Sequence, residues 1–174
     1  MPSNAGTKPE VCSCLALREA TRHVTQFYDQ YLATSGLRTT QFSILIRLRL
    51  EGPMTISALA KRLVLDRTTL GRNILPLARE ELIEIVTGSV DRRSKVVHLT
   101  EVGAARLRAA RAGWTQAQKN FETAFGRRRA TQLRNLLHAV TETEFGDAPP
   151  AASNRAASPS FRSEMRRAQT NGQA

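Results

Sequence analysis

Residues 55 to 99 hold two short helical segments, a turn of a few residues between them, and two β-branched runs directly afterwards. The segments are "TISALAKRL" and "RTTLGRNILPLAREEL". Thr55 is a cap candidate for the first, and Asp66 before the second is a good N-cap. The predicted inward face of the second segment is Leu70, Ile74 and Leu77. The runs "LIEIVT" and "KVVHL" have the composition of paired strands. Two short helices joined by a tight turn form a helix-turn-helix, and a following hairpin makes a winged helix. The order predicts a mainly α fold with a small β-hairpin wing.

Longer amphipathic helices are predicted on both sides of this unit, because apolar residues recur there at intervals of three and four. We expect Thr39 or Thr40 to cap the second helix and Thr100 to cap the long one after the wing. The expected bounds are Cys14–Leu32, a second helix ending at Gly52-Pro53, a long helix from Thr100 to about Phe125, and Arg127 to about Phe145. The predicted fold class is thus a winged helix-turn-helix flanked by long N- and C-terminal helices.

The predicted domain organisation has three parts. Residues 1–10 are small and polar and should form a flexible N-terminus. We expect residues 11–146 to form one folded domain, with the helix-turn-helix at 55–82 and the wing at 83–99. Residues 147–174 are rich in Ala, Pro, Ser and Asn and nearly lack large apolar side chains, which is typical of a disordered tail.

The charge of the chain favours an anionic partner. Lys and Arg total 26 against 15 Asp and Glu, a formal charge of +11. Nucleic acid is the first candidate and a membrane surface the second. No apolar run approaches the roughly 20 residues of a spanning helix, so we expect no membrane partner. The N-terminus "MPSNAGTKPE" has no apolar signal core, and a cytoplasmic protein is expected.

The second helix of the helix-turn-helix carries side chains suited to a DNA major groove. Arginine makes a bidentate contact to guanine, and threonine bonds a base edge or touches a thymine methyl. Gly71 leaves room for close approach, although it lowers helix stability by roughly 1 kcal/mol. Residues 55–79 contain five cations and one acid, so the predicted docking face is positive.

The stretch "GSVDRRSKVVHL" forms the predicted wing tip. Beside a recognition helix, such a tip reaches the neighbouring minor groove, where arginine is favoured. Asp91 is expected to hold Arg93 or a loop amide in position. The alternative is a solvated turn with no partner. The predicted DNA-binding residues are Thr55, Ser57, Arg67, Thr68, Thr69, Arg72, Asn73, Asp91, Arg92, Arg93 and Lys95.

These segments together resemble the MarR family of bacterial transcription regulators. "GLRTTQFSIL", "TISALAKRLVLDRTTLGRNILPLAREELI" and "DRRSKVVHLTEVGAARL" follow that family's order, and the resemblance covers about residues 12 to 145. It implies a homodimer that binds a pseudo-palindromic double-stranded operator, usually as a repressor released by a small molecule or an oxidant. It also implies base or phosphate contacts for Arg67, Thr68, Thr69 and Arg72, and a minor-groove contact for Arg93. Asn73 departs from the apolar residue often found there.

A dimer is also indicated by the residues themselves. The stripe of Trp114, Phe121 and Phe125 and the stripe from Leu133 to Val140 are hard to bury in one small winged domain. Terminal helices with surplus apolar faces usually bury them against another copy. The alternative is a core within one chain.

Two sensing arrangements are left open. "CSCLAL" places Cys12 and Cys14 at the start of the first helix. Hydroperoxide sensors of the OhrR type within this family have a reactive cysteine in a similar setting, and Cys14 and Tyr28 match its thiol and one activating tyrosine. The other two matched positions hold Arg18 and Thr39 instead of tyrosines. A thiol-based redox repressor that uses Cys14 is the alternative function. A cysteine that only fills apolar space is the simpler reading.

The commoner arrangement in the family is a pocket for an aromatic carboxylate or phenol. Such a pocket has apolar walls and one or two cations. The candidate lining residues are Arg18, Arg22, His23, Tyr28 and Arg49.

Catalytic and metal-binding motifs are not found in the sequence. His23, His98 and His138 lie far apart without an acidic cluster, so no metal or cofactor is expected. There is no nucleophile elbow and no phosphate loop, and we expect no enzyme. Two further alternatives are a winged-helix protein-interaction module and a non-specific architectural DNA binder.

Overall fold

A computed structural model describes residues 12–88 and 93–146. Within these ranges six α-helices and three β-strands follow one another along the chain. Their bounds are α1 (Ser13–Leu32), α2 (Thr39–Glu51), β1 (Met54–Thr55), α3 (Ile56–Arg62), α4 (Arg67–Arg79), β2 (Ile83–Thr87), β3 (Lys95–Leu99), α5 (Glu101–Phe125) and α6 (Arg127–Glu142). The prediction of a mainly α fold with a hairpin wing is confirmed.

The chain divides into two compact units, Met1–Gln132 and Leu133–Ala174. The first contains α1 to α5 and all three described strands, and the described part of the second is residues 133–146. The predicted flexible segment 1–10 and the predicted tail 147–174 lie outside the described residues.

The core of the first unit lies where the helix-turn-helix meets α2 and the sheet. Aliphatic side chains from each of these elements are fully buried there, and burial of such side chains is the main stabilising contribution to folding. Together with Leu32 at the end of α1 and Leu82 just before β2, the largest fully buried side chains are Ile44, Leu45, Leu59, Leu70, Leu77 and Val97. This single core fixes α4 against α2 and the sheet, and so determines which face of α4 is left in solvent.

The sheet has three antiparallel strands in the order β1-β3-β2. Val97 at the centre of β3 lies opposite Met54 of β1 and Ile85 of β2, and it is fully buried. The hairpin of β2 and β3 was predicted, whereas β1 was not. β1 has only two residues, and a strand of that length has no periodicity from which it could be recognised.

Three of the predicted helix caps are present. The hydroxyl of Thr55 accepts from the Ala58 amide, Asp66 accepts from the Thr69 amide, and Thr100 accepts from the Gly103 amide. Each bond satisfies an amide that has no partner within its own helix.

The predicted cap of α2 by Thr39 or Thr40 is wrong. Thr39 is the first helical residue, and Arg38 stands at the N-cap position. A carboxylate oxygen of Asp29, in α1, accepts from the Thr39 amide at 2.7 Å and from its hydroxyl at 2.6 Å. The amide at the start of α2 is therefore capped by a carboxylate of α1. A charged acceptor makes a stronger hydrogen bond than a threonine hydroxyl does.

α1 and α5 approach closely and are joined by polar contacts. A Cβ added to Gly113 would lie 2.3 Å from the carbonyl oxygen of Tyr31, so only glycine fits there. The hydroxyl of Tyr28 donates to Gln118 at 2.7 Å, and Asn120 donates to the hydroxyl of Tyr31 at 2.8 Å. These contacts hold the two helices in register.

In the second unit, α6 carries exposed apolar side chains. Leu136, Leu137 and Val140 are 66%, 39% and 40% exposed. The helix ends at Glu142, three residues before the predicted end at Phe145.

Candidate nucleic-acid interface

The second helix of the helix-turn-helix, α4, has one buried face and one cationic face. Leu70, Ile74 and Leu77 are buried against the core, as predicted. Arg67, Thr68 and Arg72 are exposed, and α4 contains no acidic residue between Arg67 and Arg79. The first turns therefore present cations and hydroxyls to solvent, which is the arrangement that reads base edges when a helix enters a major groove.

The N-terminus of α4 is fixed by Asp66. One carboxylate oxygen accepts from the Thr69 amide at 2.8 Å, and the other accepts from the Thr69 hydroxyl at 2.6 Å. The hydrogen bond from the Thr69 hydroxyl, and to a smaller extent the one from the Thr69 amide, hold the pKa of Asp66 below its usual value. At neutral pH this carboxylate is an anion that only accepts hydrogen bonds.

Gly71 lies in the middle of α4 with no internal contact. A Cβ added there would meet no atom within 4 Å, so packing does not require glycine at this position. Asn73, which stands where the family often has an apolar residue, is partly buried.

The preceding helix α3 adds polar groups to the same unit. Thr55 uses its hydroxyl to cap α3, and Ser57 is exposed. Glu51 at the end of α2 pairs with Arg47 and with Arg62 of α3, the latter at 2.9 Å. This network ties the two helices together on the surface.

Two cations of the wing lie among the residues that the structure describes. Arg93 and Lys95 are exposed, and the ammonium of Lys95 donates to the Thr87 hydroxyl across the hairpin at 2.9 Å. Asp91 and Arg92 lie outside the described residues, so the predicted tether from Asp91 to Arg93 stays a prediction.

A cavity of about 450 Å³ opens between α2 and α5, within the first unit. Its walls are mainly apolar, and Phe42 and Trp114 stack at its end with ring centroids 6.1 Å apart. Arg49, Arg108 and Arg111 also line it, and none of the three pairs with a carboxylate among the described residues. Apolar walls with unpaired cations are suited to an organic anion.

The predicted effector residues are only partly brought together. Arg49 lies at the cavity, but Arg18, Arg22 and His23 are exposed on α1 and are not among its lining residues. Tyr28 donates to Gln118 instead. Arg108, Arg111 and Trp114 were not predicted as lining residues. Trp114 was placed on a dimer stripe, and only the packing of α5 on α2 brings the three beside Arg49.

The two cysteines, Cys12 and Cys14, are free and exposed at the start of α1. In the described part of the chain no group of three or more His, Cys, Asp or Glu residues is placed to hold a metal ion. No described helix is both long enough and apolar enough to cross a membrane.

The fold and the exposed cationic helix define a winged helix-turn-helix protein of the transcription-regulator class. The profile of the MarR family matches residues 37–95. The transcriptional regulator MosR of M. tuberculosis, solved in complex with DNA, is 37% identical, and the match covers 74% of this chain and 96% of MosR with a TM-score of 0.65. This chain belongs to the MarR family.

Two further relatives extend the comparison. The HTH-type transcriptional repressor NicR of Pseudomonas putida is 34% identical over 93 residues, which are 53% of this chain and 59% of NicR. The chain thus spans less than two thirds of that relative. BpsR of Bordetella bronchiseptica, whose DNA binding is regulated by 6-hydroxynicotinic acid, has a TM-score of 0.70 over 79% of this chain and 99% of BpsR. At 21% identity, that likeness shows the fold alone.

Proposed function

We propose that the protein is a homodimeric, sequence-specific DNA-binding repressor that acts in the cytoplasm and is released from its operator by a small organic anion. The observation that carries the proposal is the outer face of α4, where Arg67, Thr68 and Arg72 are exposed on a helix without acids. The cap lies at the end of the helix, where Asp66 accepts hydrogen bonds from the amide and the hydroxyl of Thr69. The crystal structure of MosR, which is 37% identical to this chain, is a complex with DNA.

The proposed contacts divide by groove. Arg67, Thr68, Thr69, Arg72 and Asn73 lie on the helix that enters the major groove. Thr55 and Ser57 at the start of α3 contact phosphates. The wing, with Asp91, Arg92, Arg93 and Lys95, follows the flanking minor groove, where a narrow groove attracts arginine.

The second copy is proposed from apolar surface. Leu15 and Leu17 of α1 are each 38% exposed, and α6 exposes Leu136, Leu137 and Val140 more strongly. Apolar stripes on the first and last helices are unfavourable in water and are buried when two copies associate. A dimer carries two copies of α4, which suits a pseudo-palindromic operator with half-sites about one turn, roughly 34 Å, apart.

The test of this proposal is selection of bound DNA from a random duplex pool, followed by titration of the selected site at several salt concentrations. A regulator enriches a two-fold symmetric sequence and binds it more weakly as salt rises. Salt-dependent binding without an enriched sequence would make the protein an architectural binder. Absence of both would leave a protein-interaction module, and either result would contradict the proposal.

We propose that the effector occupies the cavity between α2 and α5. Its volume suits a single aromatic ring with a substituent, and Arg49, Arg108 and Arg111 supply positive charge for a carboxylate or phenolate. Trp114 is the single tryptophan of the chain and lines this cavity, so its fluorescence reports occupancy.

The effector proposal is tested by titrating the protein with benzoate and with phenol while recording tryptophan emission. We expect saturable quenching and, for Arg111→Ala, a weaker apparent affinity for benzoate. Arg128→Ala is the matched control, because Arg128 is exposed on α6 and does not line the cavity. Equal affinities of both variants and the wild type would refute the site.

A second candidate is a thiol-based redox repressor, and the free, exposed thiols of Cys12 and Cys14 favour it. Peroxides oxidise accessible thiols to sulfenic acids or disulfides. If sensing depends on Cys14, peroxide releases wild-type protein from its selected DNA and does not release Cys14→Ser. Release of the Cys14→Ser protein by peroxide would exclude sensing through Cys14.

A further inference from the structure

Thr69 is bonded to Asp66 through two groups at once. Its amide donates to one carboxylate oxygen at 2.8 Å and its hydroxyl donates to the other at 2.6 Å. These are short, charge-assisted contacts, which hold the side chain in one orientation. Thr69 is partly exposed in the first turn of α4, at the end that contacts base edges in helix-turn-helix proteins.

The position of the hydroxyl hydrogen follows from chemistry. An ionised carboxylate has no hydrogen and only accepts, so the hydrogen in the Thr69–Asp66 bond belongs to threonine. The pKa of Asp66 is lowered by this same bond, which favours the ionised form at neutral pH. The hydroxyl of Thr69 therefore does not donate to an outside group in this arrangement, and its oxygen keeps both lone pairs to accept hydrogen bonds.

A phosphate contact at this position is disfavoured. The anionic carboxylate of Asp66 already occupies the amide of Thr69, which would otherwise be a group for binding phosphate at a helix N-terminus. A phosphate would also be repelled by the negative charge beside it. Among the groups of DNA, a hydrogen-bond donor on a base is therefore the favoured partner for the Thr69 oxygen.

We propose that Asp66 determines the base preference of Thr69 by making its hydroxyl an acceptor, so that Thr69 reads the exocyclic amine of adenine or cytosine in the major groove. Those amines, adenine N6 and cytosine N4, are the donors that the major-groove edges present. This inference rests on the proposed function, since it requires α4 to dock on DNA.

The experiment removes the amine from DNA and the hydroxyl or its partner from the protein. Each adenine in the selected site is replaced by purine, and each cytosine by pyrimidin-2-one, one position at a time. Each replacement also removes one Watson–Crick hydrogen bond. The effect of that loss on affinity is the same for every protein variant, so it cancels when variants are compared. The variants are Thr69→Ser, which keeps the hydroxyl, Thr69→Val, which keeps the shape, and Asp66→Asn.

Asp66→Asn is informative because asparagine also caps helices well. Its amide oxygen accepts from the Thr69 amide, and its NH₂ group donates to the Thr69 hydroxyl oxygen. The hydroxyl hydrogen is then free to point at DNA, so Thr69 becomes a donor and no longer benefits from an amine on the base.

For wild type and Thr69→Ser, we expect amine removal at one position of each half-site to weaken binding roughly two- to tenfold, the value of one hydrogen bond. For Thr69→Val and Asp66→Asn, removal at that position should have no effect beyond the pairing loss. The same penalty in all four proteins, or no sensitive position in wild type, would overturn the inference. Failure of wild type to select any site would instead refute the proposed function.

Discussion

Gly103 in the first turn of α5 lies against the backbone of Leu82, the residue before β2. A Cβ on Gly103 would stand 2.0 Å from the Leu82 carbonyl oxygen and 2.9 Å from the side chain of Leu99. The Thr100 amide donates to the same carbonyl at 3.2 Å. The start of α5 is thus packed directly on the hairpin, which fixes the wing relative to the rest of the first unit.

Gly103→Ala should destabilise the fold, because backbone atoms must move to admit the methyl group. Overpacking of this kind typically costs about 1 to 3 kcal/mol. Urea unfolding followed by circular dichroism measures the difference. Gly71→Ala is the matched control, since its methyl group meets no atom within 4 Å and alanine favours a helix by about 1 kcal/mol. Loss of stability in both variants, or in neither, would contradict the packing described.

Val64→Gly should stabilise the protein. Val64 lies in the helix-turn-helix turn with a φ of 53°, a left-handed conformation that disfavours a β-branched side chain, and it is 74% exposed. Glycine removes roughly 1 to 2 kcal/mol of backbone strain at this position. The greater conformational entropy of glycine in the unfolded chain offsets part of this, so the free energy of unfolding rises by up to about 1 kcal/mol. The comparison is Val102→Gly in α5, where the helical backbone predicts a loss of about 0.5 kcal/mol. Equal losses in both proteins would show that Val64 is not strained.

Stability should fall with acid through Asp66. Its pKa is lower in the folded protein because of the bonds from Thr69, so its contribution is fully present above the unfolded value of about 3.9 and is lost as pH falls through the folded value. Urea unfolding of wild type and Asp66→Asn between pH 2.5 and 6 measures this. The free energy of unfolding of wild type minus that of Asp66→Asn should be constant above about pH 5. Below about pH 4 wild type should lose stability relative to Asp66→Asn. A constant difference over the whole range would show that Thr69 does not stabilise the anion.

Arg72→Ala and Arg93→Ala should weaken DNA binding in different ways. Loss of a bidentate base contact by Arg72 costs about 1 to 3 kcal/mol and relaxes the preference at one operator position. Loss of Arg93 from the wing should weaken binding to all sequences evenly and lower the salt slope by about 1. Quantitative binding to the selected site and to single-base variants separates the two effects. Unchanged affinity in both variants would remove α4 and the wing from the interface.

The elements that could be predicted from the sequence are those fixed by local chemistry. Thr55, Asp66 and Thr100 were recognised as caps because each acts on an amide three residues away in its own helix. The face of α4 that would be buried was likewise readable from its apolar spacing.

Features that depend on distant residues were missed. The cap of α2 comes from Asp29, which lies ten residues before Thr39 and accepts a hydrogen bond from the Thr39 amide. The cavity draws Arg49 from α2 and Arg111 from α5, and spacing along one helix does not show which cations meet across two. The close approach at Gly103 also required the position of the sheet.

A hydroxyl-radical footprint of the protein on its selected DNA measures how many protected patches the protein makes and how far apart they lie. Two copies of α4 in successive major grooves should give two protected patches related by two-fold symmetry, about 10 base pairs apart. A single protected patch, or uniform protection without symmetry, would contradict a dimer that places two copies of α4 in successive major grooves.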